Sequence, residues 1–238
     1  LSIRLSLMPV IAALLLASPI AAQGLEPQLA TLSTATRING APIADPLFVR
    51  AVYAANGGKL LWTDPARFAS LQKAIADSVK DGLTPADYHA AALANFKGSV
   101  GERDLLATDA LVLLADHLRH GKVHPQSFDS EWNFGQNGHK PGTPPTQPEI
   151  DRAMVIINAP DVAAAIAAVA PTHPVYTQVR AELARYQALA ARGGWPDVPA
   201  GPTIKFGETD PRVADVATRL AATGDLPANA VRADPARY

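Results

Sequence analysis

Three histidines, His117, His120 and His124, crowd the segment HLRHGKVH. The first two are three residues apart, which puts them on one face of a helix, and the third follows the glycine that would end it. Such a trio is a candidate metal site. The segment lacks the HExxH pattern, Asp116 is the one carboxylate at helical spacing, and there is no cysteine ligand. The competing reading is a helix C-terminus, where imidazoles interact well with the dipole and the last carbonyls. Asp64, Asp81 and Asp87 are the candidates for an acid pair of the glycosidase kind, which needs two carboxylates converging across a cleft. Each lies at a segment end near Pro or Gly, where capping accounts for it. No GxSxG, GxGxxG or GKS pattern occurs, so serine-nucleophile and nucleotide chemistry have no such motif behind them. The chain has 0 cysteines, which excludes a thiol nucleophile and a thiolate metal site within it. Trp62, Trp132 and Trp195 sit at segment junctions, where an aromatic ring either stacks on a sugar or plugs the gap between helices; the plug is the favoured reading.

The elements that must position these residues read as helix after helix. Asp45-Pro46 opens a helix near 46–56, stopped by Gly57-Gly58. KLLWTD follows as a short extended link or one strand. Thr63-Asp64-Pro65 caps a helix near 64–80 with Phe68, Leu71, Ile75 and Val79 at helical spacing. Thr84-Pro85 opens another near 84–95. The span 102–120 carries Leu105, Leu106, Leu113, Leu114 and Leu118 as an apolar stripe. EWNFGQNGHKPGTPPTQP, rich in Gly and Pro, reads as a loop. Helices resume near 148–157, 161–170 and 173–192, the last with Val175, Val179, Leu183, Tyr186 and Leu189 as a core stripe. The composition changes at Trp195, and DPRVADVATRLAATG reads as one more capped helix.

Of 238 residues, 48% are hydrophobic and 18% charged, enough to bury a core. With 21 basic and 22 acidic residues the net charge is -1, so no basic surface argues for nucleic acid. At the N-terminus Arg4 precedes the apolar run LSLMPVIAALLLASPI and then Ala21-Ala22-Gln23. These are the parts of a secretory signal peptide with cleavage near Ala22. The run, interrupted by Pro9 and Pro19, is shorter than a membrane span requires. The expectation is an exported, periplasmic chain with no stable membrane span after cleavage, held by packing rather than disulfides.

Three blocks in order, FVRAVYAANGGKLLWTDPARFASLQKAIADSVKDGLTPADYH, TDALVLLADHLRHGKVHPQSFDSEWN and APTHPVYTQVRAELARYQALAARGGWPDVPAGPTIKFGETDPRVADVATRLAATGDL, resemble the N-terminal scaffold region of large periplasmic murein L,D-transpeptidases. The resemblance runs from about Pro46 to Leu226. It implies an exported helical scaffold followed by a small helical peptidoglycan-binding module, of which DPRVADVATRLAATGDLP looks like the opening helix. It also implies a β-rich catalytic domain with a His and a Ser-His-Gly-Cys segment, which forms 3-3 crosslinks. These 238 residues contain no SHGC, so no catalytic residue carries over.

The expected architecture is all-α: signal peptide 1–22, lead segment 23–45, helical scaffold domain 46–193, and linker with an incomplete peptidoglycan-binding-like module 194–238. The expected function is the non-catalytic scaffold part of an L,D-transpeptidase-like protein in peptidoglycan crosslinking, inactive alone, with peptidoglycan or other wall-synthesis proteins as partners. No catalytic, cofactor-binding or metal residue is assigned, and no cofactor is expected. A stand-alone exported wall-binding or partner-binding protein is the alternative; an unrelated exported hydrolase using His or Asp groups is the third reading.

Overall fold

Leu105, Leu106, Ala107, Ala110, Leu111, Val112, Leu114 and Leu118 of one helix are all buried, more than a single amphipathic face supplies. That helix is central, and the rest of the chain wraps it. The structure is a computed structural model and describes residues 25–123, 125–129, 131 and 138–227. The signal-like segment therefore lies outside the described residues, as do His124 and Trp132.

The elements run in the order α1 (Glu26–Thr31), β1 (Arg37–Ile38), β2 (Ala41–Pro42), α2 (Pro46–Ala55), α3 (Pro65–Asp77), α4 (Ala90–Ala94), α5 (Val100–His120), α6 (Gln147–Ile157), α7 (Val162–Ala167), α8 (Pro174–Ala191) and α9 (Arg212–Thr223). Single 3-10 turns occupy Ser78–Asp81, Pro85–Tyr88 and Pro125–Ser127. The all-α reading holds; the two short strands form one antiparallel hairpin, Ile38 opposite Ala41. Its turn, Asn39-Gly40, has positive φ at both positions, as a two-residue hairpin requires.

Two of the caps read from the sequence close as expected, whereas Thr84 makes no side-chain cap. The Asp45 carboxylate accepts the Phe48 N–H at 3.1 Å, and Asp64 accepts the Ala66 N–H at 2.8 Å, each just before a proline. A capping box not read from the sequence starts α5: Ser99 and Glu102 bond each other's backbone N–H groups, at 3.2 and 2.8 Å. α2 packs on α5 and α6, and α3 lies against α7, α4 and α5. The lead segment joins this core rather than standing apart: Leu25, Leu32, Ile38 and Ile43 are buried in it, and the Arg50 guanidinium donates to the Leu29 and Leu32 carbonyls.

Three expectations change. The helix expected near 84–95 is a 3-10 turn and a short helix broken at His89, whose φ of 58° is left-handed. KLLWTD forms no strand, because its backbone N–H groups at Leu61 and Trp62 bond a side chain instead. The expected core stripe of α8 is mostly open: Val175 and Val179 are 56% and 62% exposed and only Leu189 is buried. α8 touches the body through Tyr176, Arg180 and Gln187 at the turn Ser78–Asp81, polar contacts that leave the valine side of the helix to solvent.

Candidate functional site

Two aspartates of α5 face inward. Asp104 accepts the backbone N–H groups of Leu61 and Trp62 at 2.8 and 2.7 Å and the Tyr53 hydroxyl in a short bond. Thr108, one turn on, lies 3.0 Å from that hydroxyl and accepts the Trp62 indole N–H at the same distance. Trp62, fully buried, is thus the plug expected of it. Burial pushes the Asp104 carboxyl above its usual range, against the pull of the three donors. It also pushes the Tyr53 phenol well up, helped by the Asp104 charge. Asp109 accepts the N–H groups of Ala44 and Asp45 at 3.0 and 2.9 Å and sits 2.7 Å from His89 Nε2. One carboxylate therefore holds the link between α2 and α3; the other holds the entry to α2 and the break before α4.

The two described histidines of the trio, His117 and His120, take separate partners. His117 Nδ1 lies 3.0 Å from the Tyr88 hydroxyl, while His120 Nδ1 lies 2.8 Å from Asp116 on its own helix. Among the described residues no group of three or more His, Cys, Asp or Glu side chains is placed to hold a metal ion. A histidine that the sequence reading left inside a loop, His139, is buried, as His89 is. His139 packs edge-on to Phe48, its backbone N–H donates to Asp116 at 3.0 Å, and its Nδ1 is 3.3 Å from Glu149. Its Nε2 is 2.7 Å from Asp45, inside ion-pair range but not aligned as a hydrogen bond. Burial raises the Asp45 carboxyl despite the Phe48 N–H and His139. Burial acts on Glu149 in the same sense, but the Thr146 hydroxyl and N–H and His139 outweigh it, so that carboxyl is lowered. The cavity beside this cluster measures 50 Å³, too small for a substrate.

The acid pair does not converge. Asp64 is a cap, Asp81 accepts from the Tyr176 hydroxyl at 2.8 Å and pairs with Arg180, and Asp87 pairs with Lys122. One motif escaped the sequence reading: Ser70 and Lys73 stand in the S-x-x-K spacing of some serine acylating enzymes. Here Ser70 Oγ donates to Asp161 at 2.9 Å and accepts the Ala163 N–H at 2.9 Å, tying α3 to α7, while Lys73 pairs with Asp77. Trp195, half-buried, meets the Tyr186 ring edge-on, with Arg219 5.0 Å from its centroid.

An open groove of 540 Å³ lies between the hairpin turn and α4. Asn39, Asn95 and Lys97 stand along it, alanines floor it, and His89 lines it. The Asn39 amide donates to the Ala92 and Asn95 carbonyls at 2.8 and 3.2 Å, fixing the turn to α4. Asn39 and His89 are the only non-glycine residues with positive φ among those described, and both border this groove.

No helix of the described residues is long and apolar enough to cross a membrane. No curated protein matches the sequence. The family model of the Scaffold domain matches residues 48–183, from the first turn of α2 into α8, so that α5 and both of its inward aspartates fall inside the match. With more than half of its residues in that match, the chain belongs to the Scaffold domain family.

Proposed function

We propose that these residues are the non-catalytic scaffold part of an exported L,D-transpeptidase-like protein that acts in 3-3 crosslinking of peptidoglycan. The Scaffold domain match over 48–183 carries the reading, and it covers most of the stretch whose blocks resemble murein L,D-transpeptidases. The geometry agrees with a supporting role: the inward carboxylates of α5 and the Ser70 hydroxyl are each spent on holding backbone. The signal-like start supports export and a periplasmic location. Peptidoglycan or wall-synthesis proteins are the partners, residues 46–193 are the scaffold domain, and the segment from 194 on begins a wall-binding module.

Reading the coding DNA past the Tyr238 codon tests this. A frame that continues to a catalytic His and an SHGC segment is the expected result; an immediate stop codon favours the stand-alone wall-binding reading. The chain itself, with no thiol, gains no mass from a carbapenem. A covalent adduct on it would overturn the non-catalytic assignment.

A further inference from the structure

The groove between the hairpin turn and α4 is built in a way the scaffold role does not require. His89 is held in left-handed backbone, a conformation that is strained for a non-glycine residue and is kept where the surroundings enforce it. Two things enforce it: the chain turns sharply between Tyr88 and α4, and the ring reaches the buried Asp109. Asp109 already accepts two backbone N–H groups, so it acts as an acceptor and His89 Nε2 carries the proton it receives. His89 Nδ1 has no hydrogen-bond partner among the described residues. Asn39 spends both amide N–H groups on backbone carbonyls and Asn95 spends one, which leaves their Oδ1 atoms as acceptors and one Asn95 N–H as a donor. Lys97 supplies the groove's cation and makes no ion pair among the described residues.

This donor and acceptor map selects a ligand. A phosphate or sulfate would meet Lys97 but would also face the Asn39 and Asn95 amide oxygens, which repel an ion that only accepts. A bare glycan would want an aromatic platform, and no Trp, Tyr or Phe lines the groove. A short peptide with a free carboxylate fits both halves: the carboxylate meets the ammonium and the peptide N–H groups meet the acceptors. The alanine floor leaves room for extended backbone, and the volume suits a small ligand. We propose that this groove binds the stem peptide of peptidoglycan, with Lys97 pairing to a carboxylate and the Asn39 and Asn95 amide oxygens accepting from peptide N–H groups. The identity of the peptide rests on the cell-wall reading above; the carboxylate-peptide chemistry rests on the groove.

The test is a titration of the whole chain with the peptidoglycan tetrapeptide stem, followed by amide chemical shifts. Shifts are expected at 39–42 and 86–97, and Lys97→Met is expected to weaken binding at least about fivefold, as loss of one charge-assisted contact would. Lys97 is exposed, so that variant folds, and an unchanged thermal midpoint checks it. Lys97→Glu is expected to bind more weakly still. The inference is overturned if no amide in those two stretches moves, or if Lys97→Met binds as the native chain does. Co-sedimentation with purified sacculi separates the two claims. A chain that sediments with sacculi through surfaces unaffected by Lys97→Glu keeps the cell-wall reading and loses the groove. A chain that ignores sacculi yet binds a carboxylate peptide of another class keeps the carboxylate-peptide groove and loses the stem peptide as its ligand.

Discussion

α5 and α8 are close in length, 21 and 18 residues, and both carry an apolar stripe, yet eleven residues of α5 are buried and one of α8. The difference lies in what each helix offers its neighbours. α5 presents carboxylates inward, at Asp104 and Asp109, and other elements bring backbone N–H groups to them. α8 meets the body through side chains that reach for carbonyls and the Asp81 carboxylate at the turn Ser78–Asp81, and it packs against α9. A helix that satisfies its neighbours' backbone becomes a hub, whereas one that borrows theirs stays at the surface.

The sharpest way to break the comparison is Asp104→Ala. It strands the N–H groups of Leu61 and Trp62 and the Tyr53 hydroxyl in a dry interior, and the expected loss is about 3–5 kcal/mol. Val179→Ala on the exposed side of α8 is expected to shift stability by less than about 0.5 kcal/mol. Urea midpoints of the two variants measure both, and comparable shifts would mean that α8 is not peripheral. Thr108→Val is the next in size. It keeps the shape but removes the acceptor of the Trp62 indole, for an expected cost of about 1–3 kcal/mol in the same assay.

Much of this contrast is invisible in the sequence, for physical reasons. Caps are local, so Asp45 and Asp64 were legible beside their prolines. Asp104 and Asp109 are not local: their backbone partners lie 42 to 65 residues away, and an aspartate on an amphipathic helix reads as its wet side. His89 falls inside a helical pattern, and nothing in the residues around it announces the left-handed turn. His139 sits in a Gly- and Pro-rich stretch whose composition signals a loop and hides a buried ring. The error on α8 has the opposite cause. Its 3.6-residue periodicity is real, but periodicity shows which face is apolar and not whether anything covers it.

Acid separates buried carboxyls from ion-paired surface ones in the same spirit. Burial raises Asp104 and Asp45, so the folded chain keeps their protons at pH values where the unfolded chain has released them, and their contribution to stability falls as pH climbs above 3.8. Asp77, bonded by Lys73 and Lys80, is lowered to about 2. Its contribution is complete above 3.8 and is lost as pH falls toward 2; because it is exposed, salt should weaken it. Asp210, beside Arg212 at the start of α9, is lowered in the same sense. Carbon-detected titration of the carboxyls is expected to place Asp104 and Asp45 above 3.8, and Asp77 and Asp210 below it. The reverse order would sink the account of both kinds of carboxyl.

The smallest effect concerns α9, whose Val213, Val216 and Leu220 share a face that one short helix cannot bury alone. In the structure that face finds a partner in α8: Val213 is buried, Leu220 is 38% exposed, and Arg185 of α8 donates to the Thr223 carbonyl. Trp195 adds the edge of Tyr186 and the Arg219 cation. The partner is itself a surface helix, so α9 can open without disturbing α5. Amides of 212–223 are therefore expected to exchange well before those of 104–118, through a local opening rather than global unfolding. Trp195→Ala should speed α9 exchange further while lowering global stability by less than about 1 kcal/mol, because its contacts lie on this outer layer. Protection of α9 equal to that of α5, unchanged by the substitution, would show that the two helices open only together and that the distinction drawn between hub and surface is false.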